Sequence, residues 1–123
     1  MKTKNSLALL VSLFFLTGFI TGCGGSENYG STISNKMITK VDDILRNPDA
    51  YKGKTVTIKG KIADECSTGC WFDVKEGEAV IYTTIEAAGF AIPQKTGHEI
   101  LVEGKVAVEK GKTKLIGTGA QVK

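Results

Sequence analysis

The chain has 123 residues, is 41% hydrophobic and carries 16 basic against 13 acidic side chains, a formal charge of +3. That length suits one domain. Lys2 and Lys4 sit in a secretory-type leader; without them 14 basic residues face 13 acidic ones, a formal +1. Nucleic-acid binders draw most of their affinity from a basic surface that neutralises phosphates, so this balance makes nucleic acid an unpromising partner.

The leader reads in three zones. Lys2 and Lys4 make a positive start, Leu7 to Phe15 is an apolar run, and Ile20-Thr21-Gly22 leads into Cys23. The last four residues resemble the lipobox of exported lipoproteins of bacteria and some archaea. The resemblance implies a signal peptide over residues 1–22 and lipid attachment at Cys23. It also implies a membrane partner and a place in the cell envelope, on the extracytoplasmic side, facing the periplasm or the cell surface. The competing reading is a transmembrane anchor. Ser6 to Gly22 has about the minimum length for one, but Thr17, Gly18, Thr21 and Gly22 weaken it. Residues 23–36, rich in Gly, Ser, Thr and Asn, read as a flexible tether. Residues 37–123 read as the folded domain.

A short helix comes first. Thr39 caps it with Asp42 three positions later, Val41, Ile44 and Leu45 recur at helical spacing, and Asn47-Pro48 ends it. Lys52-Gly53-Lys54 is a turn. Thr55 to Ile62 alternates, with Val56, Ile58 and Ile62 on one face and Thr55, Thr57, Lys59 and Lys61 on the other, which predicts a half-buried strand. Gly60 marks a bend in it. Asp64 to Gly69 is a polar loop, Cys70 to Val74 a second strand, and Glu76-Gly77 a turn. Ala79 to Ile85 is a third strand, apolar on both faces and therefore central. Glu86 to Phe90 makes at most one helical turn. Glu99 to Val108 is a fourth strand, Lys110-Gly111 a hairpin turn, and Lys114 to Val122 a fifth strand. Val56 to Ile62 echoes Ile100 to Val106, including the mid-strand glycine, which suits neighbours in one curved sheet.

Three strands, a short helical connection and two strands is the order of an OB-fold. The fold class predicted is all-β: a five-stranded OB-fold-like Greek-key barrel with a short N-terminal helix and a helical turn between strands three and four. An open sandwich or another small barrel is the alternative. The run Ile44 to Gly60 resembles the opening of small OB-fold domains, of the tRNA-anticodon-binding type, in exported proteins. Cys66-Ser-Thr-Gly69-Cys70-Trp71 resembles an uncharacterised lipoprotein subgroup with a Cys-x-x-Gly-Cys-Trp element. These resemblances imply the fold; OB-folds bind oligonucleotides, oligosaccharides and proteins, so they do not fix a ligand.

Cys66 and Cys70 concentrate the chemistry. Outside the cytoplasm they suit a local disulfide. Two thiolates also suit copper(I), with His98 as a further ligand, and zinc less well, because structural zinc takes four N or S ligands. Thiol redox exchange is a third reading. No cofactor is required by any motif. Trp71 falls out of phase with Phe72 and in phase with Asp73, so Trp71 and Tyr82 are ligand-face candidates. Lys110 and Lys112 flank that face from the last hairpin. With no nucleophile signature around a catalytic set, the function predicted is a non-enzymatic binding module on a membrane-anchored lipoprotein. An envelope protein is one partner it would suit. Copper or thiol-redox handling through Cys66 and Cys70 is one alternative and oligonucleotide binding another.

Overall fold

The computed structural model describes residues 25–123. The signal peptide assigned to residues 1–22 and the lipid site at Cys23 lie outside the described residues. The elements are β1 (Glu27–Gly30), α1 (Val41–Arg46), α2 (Pro48–Tyr51), β2 (Thr55–Glu65), β3 (Trp71–Glu76), β4 (Ala79–Thr84), a 3-10 turn (Glu86–Ala88), β5 (Glu99–Glu109) and β6 (Lys112–Val122).

The alternation in the sequence becomes a closed sheet. β2 pairs antiparallel with β3 and with β5, β3 with β4, and β5 with β6. β4 runs parallel to β6 over Tyr82–Thr84 and Lys114–Ile116. The ring β2-β3-β4-β6-β5 is therefore a five-strand mixed barrel in OB-fold order. Inward positions supply the core: Ile58, Ile62, Phe72, Val74, Ile81, Ile85, Ile100, Val102 and Leu115 are fully buried. Burying each such side chain contributes about 1.5–3 kcal/mol before entropy is counted. Val41 and Ile44 of α1 join the same core.

The echoed segments are neighbours, with Ile58 opposite Val102 and Gly60 opposite Ile100. Their glycines have a steric reason. A Cβ on Gly60 would strike the Lys75 carbonyl, and one on Gly104 the Ile116 carbonyl. Both sit where the sheet changes partner or register: β2 passes from β5 to β3 near Gly60, and the β5–β6 ladder shifts between Glu103 and Gly104.

Several local expectations change. Thr39 does not cap α1. Lys40 holds the cap position without a side-chain bond, and Glu76 Oε1 accepts the Val41 N–H at 2.8 Å from across the fold. Pro48 opens α2 rather than only closing α1, because a proline at the first helical position loses no hydrogen bond. The expected third strand, β4, is not singled out as central: every strand of the closed ring has two neighbours, and only Ile81, Thr83 and the following Ile85 turn inward, while Val80 and Tyr82 are exposed.

The tether expected over residues 23–36 is corrected from Glu27 onward. Glu27–Gly30 adds to β6 as an antiparallel strand, opposite Gly119–Val122. The following segment crosses β5 and β2. Glu103, itself buried, accepts the Asn35 N–H at 2.7 Å and the Ser34 N–H at 3.2 Å, and Thr57 Oγ1 donates to the Asn35 carbonyl at 2.7 Å. Thr57, placed on the outer face by alternation, is consequently buried.

Candidate functional site

The loop between β2 and β3 is a tight hairpin. The Cys66 carbonyl accepts the Gly69 N–H at 2.9 Å, and the Cys66 N–H donates to the Trp71 carbonyl at 3.0 Å. Gly69 has φ +73°, the left-handed conformation that glycine adopts without strain. Neighbouring segments pin the loop. Gln94 Nε2 donates to the Cys66 carbonyl at 2.9 Å, the Ile92 N–H to the Gly69 carbonyl at 3.2 Å, and the Ile85 N–H to the Cys70 carbonyl at 3.0 Å. Glu65 reinforces this by accepting the Lys95 N–H and the Thr96 hydroxyl.

That scaffold brings Cys66 and Cys70 to a sulfur–sulfur distance of 3.2 Å, both half-buried and both thiols. Thr68 Oγ1 lies 3.1 Å from Cys66 Sγ and 3.4 Å from Cys70 Sγ. Hydrogen bonds from the Thr68 side chain and backbone, then from Cys70, hold the Cys66 thiol down to about 7. His98 does not complete a metal set with them. Its Nδ1 is 2.7 Å from the Lys123 carbonyl, and among the described residues no group of three His, Cys, Asp or Glu side chains is placed to hold an ion.

The second feature is an open groove of about 1130 Å³ beside the β5–β6 hairpin. Tyr82, Lys110 and Lys112 line it, together with Asp73, Val80, Lys114, Glu109 and Thr113. The hairpin turns on Lys110 and Gly111, both at positive φ, as two-residue turns of the twisted type require. Tyr82 stands opposite Asp73 in the β3–β4 register, so Trp71 is its diagonal neighbour. The two rings meet with centroids 5.5 Å apart, tilted by 31°. Trp71 is thus not among the lining residues but buttresses Tyr82, while Phe72 on the opposite face is in the core. Lys114 pairs with Glu109 at 2.7 Å. Among the described residues Lys110 and Lys112 make no ion pair, which leaves two cations at the mouth of the groove. Burial, then the Asp64 carboxylate, raises the Asp73 carboxyl above its usual range. Burial, then the nearby Cys70, raises the Tyr82 phenol.

No protein-family model matches the sequence, and no curated protein matches it either. Solved structures do match in fold. The hypothetical protein ygiW of E. coli aligns with a TM-score of 0.54 at 16% identity, over 71% of this chain and 90% of that one. A protein of Leishmania major Friedlin, provisionally named as an aspartyl-tRNA synthetase, aligns with a TM-score of 0.55 at 14% identity, over 76% of this chain. The chain spans only 22% of that second protein. This is an OB-fold-like barrel. At these identities the likeness is one of architecture.

Sequence reasoning passed over Thr68, Val80 and Lys114. Val80 carried a usable signal, since it shares the face of Tyr82 at a spacing of two. Thr68 and Lys114 carried none, because their roles depend on the turn geometry and on a neighbouring strand.

Proposed function

We propose that this chain is a lipid-anchored, extracytoplasmic OB-fold module that binds an extended ligand, without chemically transforming it, in the groove beside the β5–β6 hairpin. The observation that carries this is one open groove lined by Lys110, Lys112 and a Tyr82 ring that Trp71 backs from outside the groove. An aromatic platform takes a flat or apolar ring face, and two unpaired ammonium groups take an anionic substituent. The chemistry favoured is therefore a ring-bearing, negatively charged chain. An acidic oligosaccharide is the representative we choose.

The test uses the full-length chain in detergent and its single tryptophan, Trp71. Trp71 fluorescence is titrated with a uronic-acid oligosaccharide and with a single-stranded oligonucleotide. We expect saturable binding of the saccharide, weakened about tenfold by Tyr82→Ala or by the pair Lys110→Glu and Lys112→Glu, each worth about 1.4 kcal/mol. Binding that neither change affects would move the ligand to another face. Tighter binding of the oligonucleotide, falling steeply with salt, would replace the saccharide reading with a nucleic-acid one.

Anchoring is tested separately. Cys23→Ser should abolish palmitate labelling and release the chain from the membrane fraction. Because β1 begins at Glu27, the link from Cys23 to the barrel reaches about 14 Å at full extension. The anchor would hold the barrel against the lipid surface rather than far from it.

A further inference from the structure

The cysteine hairpin asks for a role that the groove does not supply. Its backbone is closed by its own hydrogen bonds and pinned by Ile85, Ile92 and Gln94. The two sulfurs are therefore brought to 3.2 Å by the fold, with no covalent bond needed to keep them there. A bond between them has a length of about 2.05 Å, which a small rotation of two half-buried side chains can reach. A purely structural cross-link would add less than one closing a long loop, because so short a loop removes less freedom from the unfolded chain. Zinc fits less well. Two sulfurs at about 2.3 Å from a tetrahedral zinc stand about 3.8 Å apart, and a third donor is lacking among the described residues.

Thr68 is the distinguishing feature. One hydroxyl lies within reach of both sulfurs, so its hydrogen can turn to whichever is anionic. That stabilises a thiolate on Cys66 when it attacks and on Cys70 when it is the neighbour that must attack next. A thiolate is the reactive form in sulfur exchange.

We propose that Cys66 and Cys70 form a thiol–disulfide exchange site acting on an organic disulfide, with Cys66 as the attacking sulfur, Cys70 as the resolving sulfur and Thr68 as a positioning residue. In the first step the Cys66 thiolate attacks one sulfur of the substrate. A Cys66–substrate disulfide forms, the substrate S–S bond breaks, and the departing thiolate takes up a proton. In the second step the Cys70 thiolate attacks Cys66 Sγ, which forms the Cys66–Cys70 disulfide and releases the second substrate thiol. The substrate gains two electrons and two protons; the cysteine pair loses both. A low-molecular-weight thiol reverses the sequence and restores the dithiol.

The cysteines do not line the groove, and the test of this site does not require the groove's ligand. The full-length chain is equilibrated with reduced and oxidised glutathione and followed by peptide mass mapping and by fluorescence of Trp71, which adjoins Cys70. We expect a reversible loss of two hydrogens confined to Cys66 and Cys70. With Cys70→Ser a glutathione adduct should accumulate on Cys66, whereas Cys66→Ser should accumulate little on Cys70. Alkylation of Cys66 by iodoacetamide should rise through a pH of about 7. Thr68→Val should move that midpoint upward and slow exchange at neutral pH by about threefold or more, while the far-ultraviolet dichroism stays that of the parent. Three results would overturn the proposal: a disulfide that millimolar glutathione cannot reduce in the folded chain, equal reactivity of the two cysteines, or a Thr68→Val midpoint identical to that of the parent.

Discussion

Gly69 shows how one residue shapes the cysteine hairpin. Its positive φ disfavours any side chain, and a Cβ there would overlap the Ile92 carbonyl that packs against it. Gly77 also has positive φ, but nothing lies within 4 Å of where its Cβ would point. Gly77→Ala should therefore cost only the conformational penalty of about 1–2 kcal/mol. Gly69→Ala should cost clearly more, and it should also separate the two sulfurs. Urea denaturation of the two variants side by side checks this; equal losses would mean that the Ile92 contact gives way easily. The glycine was legible in the sequence as a loop signal. The hydroxyl of Thr68 against both sulfurs was not, because a loop sequence does not state its turn type.

At the level of elements, β3 and β4 divide their labour between two faces. Phe72, Val74, Ile81 and Thr83 go into the core, while Asp73, Val80 and Tyr82 go to the groove. The groove face carries a built-in conflict: Asp64 and Asp73 are register partners across β2 and β3. Burial first and Asp64 second make the folded chain hold the Asp73 proton to higher pH than the unfolded chain does. The stability from that proton is present below the ordinary carboxylate pKa and is lost as pH rises through the folded value. Ionised Asp73 therefore weakens the fold at neutral pH. Asp73→Asn should stabilise by about 0.2–1 kcal/mol at pH 7, the range for cross-strand charge pairs, and the gain should shrink toward pH 3. Denaturation midpoints at the two pH values test the sign. The alternation that built β3 was plain in the sequence. The repulsion was not, because it depends on the register between two strands.

On the scale of the whole molecule, Glu103 joins the N-terminal segment to the barrel. Its carboxylate satisfies backbone donors sixty-eight and sixty-nine residues away, at Asn35 and Ser34. Glu103→Ala would leave those N–H groups without their charged acceptor, a loss of about 1.5–3 kcal/mol. We expect faster amide exchange at Ser34, Asn35 and Thr39, with the β2–β5 ladder still protected. If those amides stay slow, the segment is held chiefly by β1 on β6. Under the proposed anchoring, the reach between lipid and barrel should stay as it is in this variant, because β1 on β6 lies between the anchor and the released segment.

The sequence by itself determined the five barrel strands, their order along the chain, the pairing of the two echoed segments and the closeness of Cys66 and Cys70 along the chain. These follow from side-chain alternation and spacing, which are local properties of a chain. The tertiary structure decided three other things: that Glu27–Gly30 is a strand and not a tether, that Thr57 is buried, and that Val80 and Lys114 join Tyr82, Lys110 and Lys112 in one groove. Each of these depends on which distant backbone or side chain arrives to meet the residue. A polar stretch such as residues 27–36 has no apolar period to announce it, and it is ordered by hydrogen-bond partners that only the closed barrel presents.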